Sequence, residues 1–125
     1  MAMMGRDKEA IAEAEQAIRL SPRDPQQPLF LAVIGLAHCT AGRYEECIRF
    51  TGEGLKARPG HQGAQRALCV SLAHSGRLEE AREVLKGLIR QQPNLSIGWV
   101  KRNVPFVDSV MTRYVEGLRK AGLPE

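Results

Sequence analysis

A chain of 125 residues with 43% apolar and 26% charged side chains has the composition of one globular domain. Its net charge of +4 is modest and its signs are interleaved, so the clustered basic face and stacking aromatics of a nucleic-acid binder are missing. Three cysteines without a C-x-x-C exclude a disulfide framework and a zinc site, and nothing approaches the roughly 18 consecutive apolar residues that cross a membrane. The opening Met1-Ala2-Met3-Met4-Gly5 has no apolar core of a signal peptide. These features predict a cytoplasmic protein with no metal, no cofactor, no nucleic acid and no membrane as partner.

Along the chain, Gly5-Arg6-Asp7-Lys8-Glu9-Ala10 opens a segment that ends at Ser21-Pro22. Ala10, Ala14, Ala17 and Ile18 place one apolar face on a helix over 8–20. Arg23-Asp24-Pro25-Gln26-Gln27 reads as a linker. The dense apolar run Leu29, Phe30, Leu31, Val33, Ile34, Leu36, Ala37 predicts a buried helix over 28–41, ended by Gly42 as a left-handed cap. Tyr44–Ala57 is its antiparallel partner, stopped by Pro59-Gly60. A further helix runs from His61 or Gln62 to Ser75, and Leu78–Gln91 is its partner, stopped before Pro93. In the tail, a short helix over 95–103 takes Ser96 as N-cap and breaks at Pro105. Asp108 is predicted to cap a last helix with the stripe Val110, Met111, Tyr114, Val115, Leu118, ending at Ala121-Gly122-Leu123-Pro124.

The most informative feature is a repeat. Gly42-Arg43-Tyr44-Glu45-Glu46-Cys47 recurs as Gly76-Arg77-Leu78-Glu79-Glu80-Ala81, 34 residues later, and Pro59 and Pro93 close the two copies at the same distance. That period is the signature of stacked helix–turn–helix units. The residues resemble the tetratricopeptide repeat: Leu31-x2-Ile34-Gly35-x2-His38, Cys47-x3-Thr51 and Pro59 in one unit, Gln65-x2-Leu68-Cys69-x2-Leu72, Ala81-x3-Leu85 and Pro93 in the next. Trp99 falls where a third unit would begin, and Arg102, Asn103 and Pro105 then leave the pattern. The expected fold is all-α, a tetratricopeptide-type helical-hairpin solenoid of about two and a half repeats with a C-terminal capping helix. Its parts are a half repeat over 1–22, a linker over 23–27, units over 28–61 and 62–94, and a capping segment over 95–125.

The chain therefore reads as opening in mid-unit, which points to a C-terminal fragment of a longer protein or a late start codon. The segment over 113–125 resembles the ends of some proteobacterial proteins that carry a class III adenylate/guanylate cyclase domain, or another regulatory domain, ahead of such repeats. The family resemblance implies a non-catalytic module for a protein or peptide partner, bound on the concave face of the first helices. A self-associating regulatory appendage of a nucleotide cyclase-type enzyme, forming a homodimer, is one alternative. Binding of an apolar small molecule or lipid in the groove is another.

Helical spacing places Leu29, Ala32, Leu36, Cys39 and Thr40 of one unit on that face, with Gly63, Arg66, Val70, Ala73 and His74 of the next. Either this is an open apolar groove with Arg66 and His74 as polar contacts, or the N-terminal helix and linker cover it. Leaving Leu29 and Leu36 in water costs roughly 1.5–3 kcal/mol each, which favours covering. Arg66 is the lone cation there, too few for the clustered charges of a carboxylate clamp. His38 takes the place of a packing tyrosine, and His61 reads as a solvated turn residue. Cys39 reads as partly exposed and unreactive at a helix C-terminus. Glu45-Glu46 and Glu79-Glu80 match helix dipoles rather than form acid/base pairs, and the arginine before each is expected to be solvated. Trp99 and Phe106 are expected to cap the last repeat.

Overall fold

The computed structural model describes residues 27–125, with side chains from Leu31 onward. The half repeat, the helix over 8–20 and the linker up to residue 26 lie outside the described residues, and Gln27, expected in the linker, opens the first described helix. Six helices are described: α1 Gln27–Thr40, α2 Tyr44–Ala57, α3 Gln62–His74, α4 Leu78–Gln91, α5 Ile97–Asn103 and α6 Asp108–Ala121. Each of the first four packs against its neighbour, so that α1–α2 and α3–α4 are successive antiparallel hairpins, and α2 packs on α3 to stack them. The fold is the all-α helical-hairpin repeat that the period of 34 predicts.

The two hairpin turns use the same backbone device. Gly42 and Gly76 sit at φ 83° and 80°, where a Cβ would be strained. The next N–H then reaches back past the cap, Arg43 to the His38 carbonyl at 2.8 Å and Arg77 to the Leu72 carbonyl at 2.9 Å. This is the bond pattern of a glycine-terminated helix. Arg43 also donates from Nε to His38 Nδ1 at 2.8 Å. Arg77 makes a two-pronged pair with Glu80 at 3.1 and 2.8 Å. Arg77 is thus exposed, as the solvated role requires, with Glu80 as a surface partner, whereas Arg43 is half-buried against His38. Glu45, Glu46, Glu79 and Glu80 lie in the first turns of α2 and α4, beside the positive end of each dipole.

Small residues set the hairpin spacing. A Cβ on Gly35 would meet Thr51 Cγ2 at 2.5 Å, so the backbones of α1 and α2 approach closely there. In the second hairpin the Cys69 thiol donates to the Ala81 carbonyl at 3.5 Å across the same kind of crossing. Both second helices end one residue before proline, with Arg58 and Gln92 out of helical geometry at φ −134° and −138°.

His61 is not a bare turn residue. Its Nδ1 accepts the Ala64 N–H at 3.0 Å and caps α3, using a ring nitrogen where Ser or Asp is usual. Replacing His61 by Ala should cost about 1 kcal/mol in chemical denaturation, and His61→Asp should retain most of that. Equal stability of all three would assign the cap no value.

The tail is tied back to the repeats. Ser96 accepts the Trp99 N–H at 3.0 Å, as its N-cap reading requires. The Ile97 and Gly98 N–H groups donate to the Pro124 and Glu125 carbonyls at 2.9 and 3.1 Å. Two of the donors that any helix start leaves over are thereby satisfied. The N-cap of α6 is Val107, not Asp108: Asp108 is the first helical residue, and its carbonyl accepts the Thr112 hydroxyl at 2.9 Å. One core cluster extends from Cys39 through Leu72, Leu88 and Ile97 to Leu118 and Leu123.

Candidate functional site: the concave channel

The first helices α1 and α3 form the floor of a channel, and α6 lies in it. The helix α6 packs mainly on α3. Its apolar stripe faces inward: Val110, Tyr114, Val115 and Leu118 are buried. Gly117 makes the closest approach, because a Cβ there would meet the Val70 Cγ1 and Cα at 2.9 and 3.0 Å and His74 Cδ2 at 3.1 Å. Two polar contacts fix the direction of α6. His74 Nε2 lies 2.7 Å from the Arg113 carbonyl, and Arg113 Nη2 donates to the Thr40 carbonyl at 2.7 Å. Since the His74 ring also stacks on Tyr44 at 4.8 Å, both hairpins and α6 meet at this corner.

The groove-facing residues are consequently separated. Ala32, Cys39, Thr40, Val70 and Ala73 are buried, while Leu36, Gly63, Arg66 and His74 keep partial exposure. Nothing is described of the Leu29 side chain. Cys39 is 5% exposed, which corrects the partial exposure expected of it. The cover over Cys39, Thr40 and Val70 is α6. Val110, Arg113 and Tyr114 of α6 close a void of about 10 Å³ against Cys39, Thr40, Tyr44 and Val70, room for about one water.

Among the described residues, part of the channel is left as a cleft beside α6. Leu36, Gly63 and Arg66 on its floor and Asn103, Val104, Pro105, Phe106 and Tyr114 on its wall line a cleft of about 200 Å³. The Arg66 guanidinium lies 5.5 Å from the centroid of the Trp99 ring, and its Nε is buried with no hydrogen-bond partner. Phe106 meets Tyr114 edge-on at 4.9 Å. Burial pushes the Tyr114 phenol well above its ordinary range, and the nearby Arg66 charge opposes that only partly, so Tyr114 is a neutral hydroxyl. Among the described residues no three His, Cys, Asp or Glu side chains gather to hold a metal. Nor is any described helix long and apolar enough to cross a membrane.

These hairpins define the class: a helical-repeat domain with a concave face on its first helices. Residues 40–97 match the family model of the tetratricopeptide repeat, from the end of α1 through α4 to the start of α5. No curated protein and no solved structure matches the chain.

The occupancy of the channel by α6 is the feature the sequence reading missed. Its signal lay in the stripe Val110, Tyr114, Gly117, Leu118, Ala121, which carries glycine in its middle. A small residue inside an apolar stripe marks close approach to another helix.

Proposed function

We propose that the chain is a protein-interaction module, a tetratricopeptide scaffold that receives a segment of a partner at the cleft left beside α6 in its concave channel. One observation carries this reading: the channel already accommodates a helix, with apolar anchors at helical spacing and hydrogen bonds to main-chain carbonyls. The open cleft beside α6 offers a partner an apolar wall at Leu36 and Phe106 and one unsatisfied donor at Arg66 Nε. A segment bringing a bulky apolar side chain and a carbonyl or carboxylate suits it. At about 200 Å³ the cleft is smaller than the roughly 300 Å³ at which small-molecule sites begin, which favours a partner side chain over a whole ligand or lipid tail. Its polar groups are a guanidinium, an amide and a neutral phenol, suited to recognition rather than to acid/base catalysis.

A photo-crosslinking side chain at position 106 tests this in cells, with position 83 on α4 as control. A discrete protein adduct from 106 and none from 83 is expected. Equal labelling from both, or no adduct from 106, overturns the reading. The likeness of the segment over 113–125 to proteins with a cyclase domain favours a narrower version, a regulatory appendage that self-associates. Light scattering across a concentration series tests that version, and a strict monomer at high concentration ends it.

A further inference from the structure

Three candidate features lie outside the interaction reading: the surface depressions along α4, the ring stack at His74, and the thiols beneath α6. The thiols carry the most. Gly35 of α1 faces Thr51 of α2. In an antiparallel pair, one turn further along α1 and one turn back along α2 brings Cys39 opposite Cys47. Both are free thiols and both are buried, and a Cβ on Gly35 would also lie 3.5 Å from the Cys47 carbonyl, so the two cysteines share the close crossing of α1 and α2. Cys47 in turn reaches the Ala67 carbonyl at 3.7 Å. The Ser71 hydroxyl is enclosed beside both sulfurs and makes no regular hydrogen bond elsewhere. Cys69 stands apart on the far side of α3, bonded to Ala81, with its thiol pushed up to about 12 by burial.

We propose that Cys39 and Cys47 form a redox-active dithiol that hydroperoxides oxidise to an intramolecular disulfide, with α6 as the lid that controls access. The contact with Cys47, then burial, holds the Cys39 thiol well above its ordinary value. The neighbouring Cys39 in turn holds the Cys47 thiol below its own. In the closed state Cys39 is therefore a thiol under Val110, Arg113 and Tyr114, protected from oxidant. When α6 lifts, Cys39 is the sulfur that water and peroxide reach first. Its thiolate, having given its proton to solvent, attacks one peroxide oxygen and the O–O bond breaks. The departing oxygen takes up a proton and leaves as water or an alcohol. The resulting sulfenic acid is then attacked by Cys47, the better thiolate. The S–S bond forms, the S–OH bond breaks, and hydroxide leaves with the Cys47 proton as a second water. Two thiols have lost two electrons and the peroxide has gained them.

The test is peptide mapping of the full chain after hydrogen peroxide treatment and alkylation in native buffer. Arg43 separates the two cysteines, so trypsin yields a linked pair of peptides only if the disulfide has formed. Expected are a Cys39–Cys47 link, its persistence in Cys69→Ala, and its reversal by a thiol reductant. Gly117→Val, which pushes on Val70, should speed linkage roughly tenfold or more, because opening of α6 limits access. Arg113→Ala, which removes the bond to Thr40 and part of the cover over Cys39, should act in the same direction if Gly117→Val proves insoluble. Links from Cys69 to either partner at comparable rate, or Cys39 carried to sulfinic acid while Cys47 remains alkylatable, overturn the dithiol. An unchanged rate in the folded lid variants overturns the gate. None of these outcomes depends on whether a protein partner exists.

Discussion

Gly117→Val is expected to release α6 from the channel, lowering protection from hydrogen exchange over 110–121 by roughly 30-fold, the equivalent of about 2 kcal/mol. The substituted position faces main chain, not a yielding side-chain tip. Its first carbon alone would lie 3.0 Å from the Val70 Cα and 2.9 Å from its Cγ1, and Val70 is itself 1% exposed. Overpacking of this kind costs about 1–3 kcal/mol. Removing a helical glycine returns only a few tenths of a kcal/mol when the newcomer is β-branched. Contact therefore wins. For Gly117→Ala the return approaches about 1 kcal/mol, so a much smaller net loss is expected. Because the His74 and Arg113 bonds depend on the same docking, both should weaken together. Exchange in α4 should rise less than in α3, because α6 packs mainly on α3 and touches α4 over a smaller area. Unchanged protection over 110–121 in Gly117→Val would show that α6 is not held by this contact.

The hairpins were legible from the sequence because glycine and proline act through the backbone alone. Gly42 and Gly76 end helices by a dihedral angle that other residues avoid, and Pro59 and Pro93 forbid helical geometry to the residue before them. Such signals need no knowledge of the fold, and they located α1 to α4 closely. The candidate site was less legible for an equally physical reason. A stripe such as Val110, Tyr114, Leu118 states that one face is buried without naming what buries it. Arg66 was identifiable as the cation of the channel, whereas its position between Trp99 and Tyr114 follows from where the tail folds back. His61 and Asp108 were misread at the caps because capping by residue type is only a preference. A histidine nitrogen accepts as well as a serine oxygen when the turn aims it correctly.

The glycines inside helices should separate by sign, with Gly35→Ala giving the largest loss. Its new Cβ would stand 2.5 Å from Thr51 Cγ2 and 3.2 Å from the Thr51 backbone nitrogen. Thr51 is fully buried and its hydroxyl donates to the Cys47 carbonyl at 2.6 Å, so it cannot turn away without leaving that buried hydroxyl unpaired. The helices must then move apart along their whole crossing, at a cost of about 2–4 kcal/mol against a propensity gain of about 1. Gly52 lies in α2, one residue beyond Thr51, and a Cβ there meets nothing within 4 Å. Gly87 in α4 meets only the end of Arg90, at 4.0 Å. With no contact to offset the propensity term, Gly52→Ala and Gly87→Ala should each stabilise by about 0.5–1 kcal/mol. Thr51→Ser removes the methyl group that Gly35→Ala strikes and keeps the hydroxyl. The double variant should therefore recover about 1 kcal/mol relative to the sum of the two singles, measured by urea denaturation. Strict additivity would place the strain on the Thr51 backbone instead, and a stabilising Gly35→Ala would mean that the close crossing of α1 and α2 is not what this glycine provides.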